Sequence, residues 1–123
     1  MAEELLNPLC GDKVGVTARV SNSKLHIINH DGHGCAISQA SAAILADHLV
    51  GKTFEEVETL IDVFYRLILK PDTVTDEEKE LIGDAKILSG VAKLPGRHRC
   101  ALLAWENLKV GLMKFKEKQK EVN

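Results

Sequence analysis

The stretch KVGVTARVSNSKLHIINH, residues 13–30, decides the fold. Over residues 13–20, apolar side chains at every second position alternate with polar residues or glycine, which is the period of a half-buried β-strand. Residues 24–30 repeat the alternation, with Leu25 and Ile27 on one side, and a short serine- and asparagine-containing turn separates the two runs. We therefore predict an antiparallel hairpin, which must pack against other elements because an isolated hairpin is only marginally stable.

Helical patterns follow the hairpin. Residues 36–50 are rich in small side chains, which predicts a helix that approaches its neighbours closely and stops at Gly51. Two capping boxes, Thr53–Glu56 and Thr75–Glu78, predict the starts of two further helices. The charged stretch at residues 71–83 carries few apolar side chains, so we expect it to be peripheral.

The C-terminal third of the chain adds two more apolar segments. A short one is predicted from Ile87, Leu88, Val91 and Leu94, and Pro95 introduces the last helix. The apolar stripe of that helix consists of Ala101, Trp105, Leu108, Leu112 and Phe115. Strands followed by helices predict an α+β fold, with a small antiparallel sheet of two to three strands followed by four to five helices packed on one face. We expect residues 1–123 to form a single domain.

Composition excludes several function classes. The 16 Lys and Arg residues nearly balance the 18 Asp and Glu residues, and only 4% of the chain is aromatic, so neither bulk charge nor base stacking favours nucleic-acid binding. No apolar run is long enough to span a bilayer, and the acidic N-terminus is unlike a secretory signal. We therefore expect a cytoplasmic protein without nucleic-acid or membrane partners.

The three cysteines stand where the backbone conformation is predicted to change. Cys10 and Asp12 flank a glycine just before the first strand, Cys35 directly precedes the small-residue helix, and Cys100 falls in the first turns of the last helix, after Arg97. An antiparallel hairpin returns the chain toward its starting point, which brings Cys10 and Cys35 to one end of the sheet. Three thiolates and a carboxylate form a plausible set of ligands for zinc or an iron–sulfur cluster. The alternative is that the cysteines are buried bystanders.

Three blocks of sequence resemble the U-type iron–sulfur cluster scaffold proteins, a family that includes NifU-like, IscU and SufU proteins. The blocks are NPLCGD at residues 7–12, GHGCAISQAS at 32–41 and RHRCALLAW at 97–105, and the resemblance extends over nearly the whole chain. It implies a three-stranded antiparallel sheet that carries a cluster of helices. It also implies a metal site formed by Cys10, Asp12, Cys35 and Cys100. The implied cofactor is zinc or, alternatively, a transient [2Fe–2S] or other iron–sulfur cluster on Cys10, Cys35 and Cys100.

The resemblance is closer to the SufU branch than to IscU. The gap between the second and third cysteines is long, and Arg99 stands where IscU proteins usually have a histidine. This branch implies zinc and the acceptance of persulfide sulfur from a SufS-like cysteine desulfurase, with iron–sulfur acceptor proteins as further partners. Cys35 and Cys100 are then the sulfur-acceptor candidates, and Arg97 supplies charge support. The protein is thus at most a zinc-dependent sulfurtransferase and otherwise a scaffold.

The N-terminal end departs from the family pattern. Only residues 1–9 precede Cys10, so the resemblance predicts that the family's N-terminal helix and first strand are missing here. A second class of function therefore stays open, in which the chain is a degenerate paralogue and its zinc only stabilises the fold.

Overall fold

A computed structural model of the chain describes residues 13–21, 24–33 and 36–122. In these ranges, strands β1 (Lys13–Ser21) and β2 (Lys24–His33) pair as an antiparallel two-stranded sheet, which confirms the predicted hairpin. The predicted turn at residues 22 and 23 lies outside the described residues. The α-helices are α1 (Ala36–Leu49), α2 (Phe54–Leu69), α3 (Asp76–Leu81) and α4 (His98–Val122), and 3₁₀-helices span Pro71–Thr73, Gly83–Lys93 and Pro95–Arg97. The α+β prediction is confirmed.

A β-bulge determines which residues of the hairpin are buried. The register of β1 against β2 shifts just after Arg19. Leu25 and Ile28 are therefore both buried although they are three positions apart rather than two, and Ala18, which pairs with Ile28, is buried as well. The prediction named Ile27 as the second residue on this side, because simple alternation has no place for an extra residue in one strand.

The predicted helix boundaries agree with the structure. α1 stops at Leu49, and Gly51 adopts the left-handed conformation with φ of 83°. The Thr53 hydroxyl accepts a hydrogen bond from the Glu56 amide at 3.2 Å, and the Glu56 carboxylate accepts one from the Thr53 amide at 3.1 Å. An equivalent reciprocal pair of hydrogen bonds, between Thr75 and Glu78, lies at the start of α3. Both capping boxes are therefore confirmed.

The segment Gly83–Lys93 is a 3₁₀-helix, which corrects one prediction. Its buried residues are Ala85, Leu88 and Val91. They recur every three positions, as required by a helix with three residues per turn. The predicted apolar segment also included Ile87 and Leu94, but these side chains are 74% and 51% exposed.

The core is formed where α1, α2 and α4 meet below the hairpin. Trp105 of α4 stacks on Phe64 of α2, with ring centroids 4.1 Å apart and planes inclined by 9°. The predicted stripe of α4 is confirmed, because its first four members are buried and Phe115 is half-buried against Phe54. Among the described residues, no helix combines the length and the apolar character needed to cross a membrane.

Residues 71–83, the segment that includes α3, lie at the periphery, as the sequence predicts. α3 buries none of its own side chains. The guanidinium of Arg66 in α2 holds it by donating to the Glu78 carboxylate and, at 3.0 Å, to the Thr73 carbonyl. At its other end, His48 Nε2 donates to the Leu81 carbonyl at 3.0 Å. These polar contacts, together with the buried side chains of Val74 and Ile82 on either side of α3, therefore attach this segment.

Candidate metal and sulfur site

The structure describes two of the predicted site residues. Cys100 is the third residue of α4 and is only 3% exposed, in agreement with its predicted position in the first turns of the last helix. Arg97 ends the short 3₁₀-helix before α4 and is exposed. Cys10, Asp12 and Cys35 lie outside the described residues, so their convergence on Cys100 stays a prediction.

Cys100 lies beside a buried polar contact between α1 and α4. The Ser41 hydroxyl donates to the carbonyl oxygen of Ala101 at 2.5 Å, and Trp105 Nε1 donates to the Ser41 oxygen at 2.9 Å. Ala101 follows Cys100 directly, and α1 begins immediately after Cys35 in the sequence. The contact therefore joins the two helices whose starts carry predicted ligands.

The role of Ser41 was not evident from the sequence, which showed it only as one small residue among several. A hydrogen bond between positions 41 and 105 leaves no local signal. The usable clue is that Ser38 and Ser41 are three residues apart, so that both lie on the same face of a helix rich in alanine and aliphatic residues. A polar side chain on a buried face needs a hydrogen-bond partner.

The approach to Cys100 is positively charged. Arg97 and Arg99 are both exposed on either side of His98, and Lys93 is exposed at the end of the preceding 3₁₀-helix. His98 itself is held by a hydrogen bond from its Nε2 to the Ala92 carbonyl at 2.9 Å. The start of α4 is thus fixed while the neighbouring cations face solvent.

The chemistry of this position suits a thiolate ligand. The first turn of a helix has amide groups without helical partners and a partial positive charge, both of which stabilise a thiolate. In the described ranges, no group of three or more His, Cys, Asp or Glu residues can hold a metal ion. Cys100 can therefore enter a metal site only together with residues outside those ranges. The predicted ligands Cys10, Asp12 and Cys35 would provide the thiolates and carboxylate that zinc and iron–sulfur clusters accept, so the predicted donor set fits either group.

A groove between α2 and α4 is not part of this site. It has a volume of about 460 Å³, and none of the predicted site residues lines it. Lys109 Nζ lies 5.3 Å from the centre of the Tyr65 ring inside it. Burial, with a smaller contribution from the charge of Glu106, raises the pKa of Tyr65 to about 12, so its hydroxyl stays protonated.

Comparisons with known proteins identify related sequences and structures. The chain is 38% identical over 108 residues to the iron–sulfur cluster assembly scaffold protein IscU of Streptococcus pyogenes serotype M1, covering 88% of this chain and 66% of that protein. It is 32% identical over 111 residues to the zinc-dependent sulfurtransferase SufU of Bacillus subtilis (strain 168), covering 90% and 74%. The chain thus spans just under two-thirds of the Streptococcus relative.

A solved structure from Fervidobacterium islandicum AW-1 shares the fold. It is described as an iron–sulfur cluster assembly scaffold protein for the SUF system, and it matches with a TM-score of 0.79 at 30% identity, covering 89% of this chain and 77% of that one. The sequence model of the NifU-like N terminal domain matches residues 2–101. By sequence and by fold, this chain belongs to the NifU-like N-terminal domain family.

Proposed function

We propose that this protein serves iron–sulfur cluster assembly in the cytoplasm, by accepting persulfide sulfur from a SufS-like cysteine desulfurase at a metal site. Cys10, Asp12, Cys35 and Cys100 hold the metal, which is zinc or, transiently, the iron of a growing cluster. The observation that carries the proposal is the position of Cys100, buried in the first turn of α4 and next to the contact that ties α4 to α1. The IscU and SufU relatives support the same function.

Each ligand has a distinct task in this proposal. Bound zinc supplies a positive centre that keeps the thiols deprotonated. Cys35 and Cys100 are the sulfur acceptors, since thiolates are the nucleophiles of sulfur exchange. Asp12 is the exchangeable ligand, because a carboxylate is the poorest match for a soft site rich in thiolates.

Arg97 offsets the charge of the site. Three thiolates and one carboxylate around a divalent metal leave a net negative charge, and Arg97 is an exposed cation three positions before Cys100. An exposed charge contributes little to folding. Arg97→Ala should therefore weaken sulfur acceptance while leaving the melting temperature nearly unchanged. Equal losses of both would assign Arg97 a structural role.

Metal analysis combined with stimulation of a cysteine desulfurase tests the function. The parent protein should copurify with zinc or iron and accelerate the desulfurase. Asp12→Cys should hold zinc tightly in a closed site of four thiolates yet stimulate poorly, whereas Cys100→Ser should lose both properties. If Asp12→Cys accepts sulfur as well as the parent, Asp12 is not the exchangeable ligand.

The same experiment separates this function from the alternative of a structural zinc domain. A zinc that only holds the fold predicts metal in the purified protein and no effect on any cysteine desulfurase. Anaerobic purification with a visible absorption spectrum distinguishes zinc, which is colourless, from an iron–sulfur cluster. Absence of both metals would contradict the proposed site itself.

A further inference from the structure

Ser41 is a completely buried hydroxyl that joins α1 to two positions on α4. Its side chain is 0% exposed. It donates its proton to the Ala101 carbonyl at 2.5 Å and accepts the indole proton of Trp105 at 2.9 Å. The Trp105 ring is in turn stacked on Phe64 and fully buried. The hydroxyl thus has both a donor and an acceptor partner on the neighbouring helix.

This pair of hydrogen bonds fixes how far α1 is displaced along α4. Ala101 and Trp105 are one helical turn apart, and the Ser41 oxygen lies within hydrogen-bond distance of both. Hydrogen bonds are directional, so a slide of α1 by even part of a turn breaks at least one of them and leaves a buried polar group unpaired. Contacts between small apolar residues such as Ala42, which is also buried, are less specific about register.

The register of α1 on α4 matters because a predicted ligand lies just before α1 and another in the first turn of α4. Cys100 immediately precedes Ala101, and Cys35 immediately precedes the first residue of α1. A displacement between the two helices therefore changes the separation of these two cysteines. A metal accepts ligands only within a few tenths of an ångström of its preferred distances.

We infer that Ser41 is a positioning residue for the metal site: its hydroxyl holds α1 and α4 in the register that lets Cys35 and Cys100 bind one metal ion. This inference rests on the proposed function, since it presupposes that the two cysteines share a metal. It adds a residue that is not itself a ligand and that acts through the two helices.

Zinc affinity, measured by competition with a chromogenic chelator, tests the inference without any partner protein. Ser41→Ala removes both hydrogen bonds, and Trp105→Phe removes only the indole donor while keeping a ring against Phe64. Val57→Ala is the matched control, because Val57 is equally buried but lies in α2. Absorption of the cobalt-substituted proteins reports the geometry of the site.

We expect Ser41→Ala to lower zinc affinity roughly 10–100-fold, the range typical for residues that orient metal ligands, and to alter the cobalt spectrum. Trp105→Phe should give a smaller loss, and the double variant should be no weaker than Ser41→Ala alone, since both act through one hydroxyl. Val57→Ala should be destabilised but keep the parent's affinity and spectrum. If Ser41→Ala folds too poorly to be measured, an affinity loss in Trp105→Phe that exceeds that of Val57→Ala supports the inference.

Two outcomes overturn the inference, and they differ in what else they affect. In the first outcome, Ser41→Ala binds zinc with the affinity and cobalt spectrum of Val57→Ala. Where Ser41→Ala does not fold, the same result for Trp105→Phe counts instead. Ser41 is then merely structural, and the proposed function stands. If the parent protein itself binds neither zinc nor cobalt, the proposed function fails and the inference falls with it.

Discussion

At the scale of single residues, three glycines differ in their backbone conformation and in the space around their Cα atoms. Gly83 has φ of +55°, and a Cβ there would lie 3.0 Å from His48 Cε1. Gly51 has φ of +83° but open space around it, and Gly90 has open space and no positive φ. We expect Gly51→Ala to cost about 1–2 kcal/mol of unfolding free energy, from backbone strain alone. Gly83→Ala should cost more, because the imidazole must also move.

Gly90→Ala is the control for this series. It should leave stability unchanged or raise it by about 0.4–1 kcal/mol, since alanine restricts the unfolded chain. Urea unfolding of the three variants checks the order. If Gly83→Ala costs no more than Gly51→Ala, the contact with His48 imposes no steric constraint.

A second prediction at this scale concerns the acid sensitivity of the contact between Arg66 and Glu78. The hydrogen bond from Arg66, followed by that from the Thr75 amide, lowers the pKa of Glu78 from 4.5 to about 2. A carboxylate whose pKa is lowered on folding stabilises the protein above its unfolded pKa, and this contribution is lost as the pH falls through the folded value. Glu78→Gln keeps an oxygen for the Thr75 amide but removes the charge.

We therefore expect Glu78→Gln to melt a few degrees below the parent above pH 5, and the difference to shrink steadily as the pH falls from 5 toward 2. Glu77→Gln, at an exposed neighbouring position, should match the parent throughout. Thermal melts over this pH range provide the measurement. A difference that does not change with pH would mean that the charge of Glu78 is unimportant and that the substitution acts by another route.

At the scale of elements, the 3₁₀-helix Gly83–Lys93 separates two neighbouring apolar residues. Leu88 is 8% exposed and Ile87 is 74% exposed. Leu88→Ala should cost about 2–4 kcal/mol, because it leaves a cavity beneath the segment, whereas Ile87→Ala should change stability by less than about 0.5 kcal/mol. Denaturant unfolding compares the two directly. Equal losses would indicate that the segment follows an α-helical rather than a three-residue period.

The elements also show where sequence reasoning succeeds. Capping boxes are local signals, so Thr53 and Thr75 predicted the starts of α2 and α3 correctly. The bulge after Arg19 is not local, because it depends on how two strands pair, and simple alternation therefore did not predict the burial of Ile28. The sequence predicted an apolar segment at Gly83–Lys93 but not its three-residue period, since Leu88 and Val91 fit both an α-helix and a 3₁₀-helix.

The sequence predicted less of the candidate site than of the fold. The position of Cys100 near a helix start followed from its place after Pro95 and at the beginning of the apolar stripe of α4. Its hydrogen-bonded neighbour Ser41 did not, since that contact joins residues 60 positions apart. Cys10, Asp12 and Cys35 remain predictions from the resemblance and from ligand chemistry.

At the scale of the whole molecule, a metal bound at the predicted site would stabilise the fold. Its predicted ligands are far apart in sequence, so unfolding would separate them and release the metal. We expect a strong chelator to lower the unfolding free energy of zinc-loaded protein by several kcal/mol and to lower its melting temperature accordingly. Cys100→Ser is the control, and the chelator should not affect its melting. An unchanged midpoint for the zinc-loaded parent would contradict the predicted site.

The 3₁₀-helix Gly83–Lys93 also affects how the protein unfolds locally. Its hydrogen bonds have poorer geometry than those of an α-helix, and three buried side chains anchor eleven residues. Amide hydrogens in Gly83–Lys93 should therefore exchange with solvent through local fluctuations, while those of α2 and of the buried turns of α4 exchange only on global unfolding. Only residues 94–97 lie between this segment and α4. We therefore expect the chain leading to Cys100 to open before α4 unfolds, with loss of the hydrogen bond from His98 to the Ala92 carbonyl.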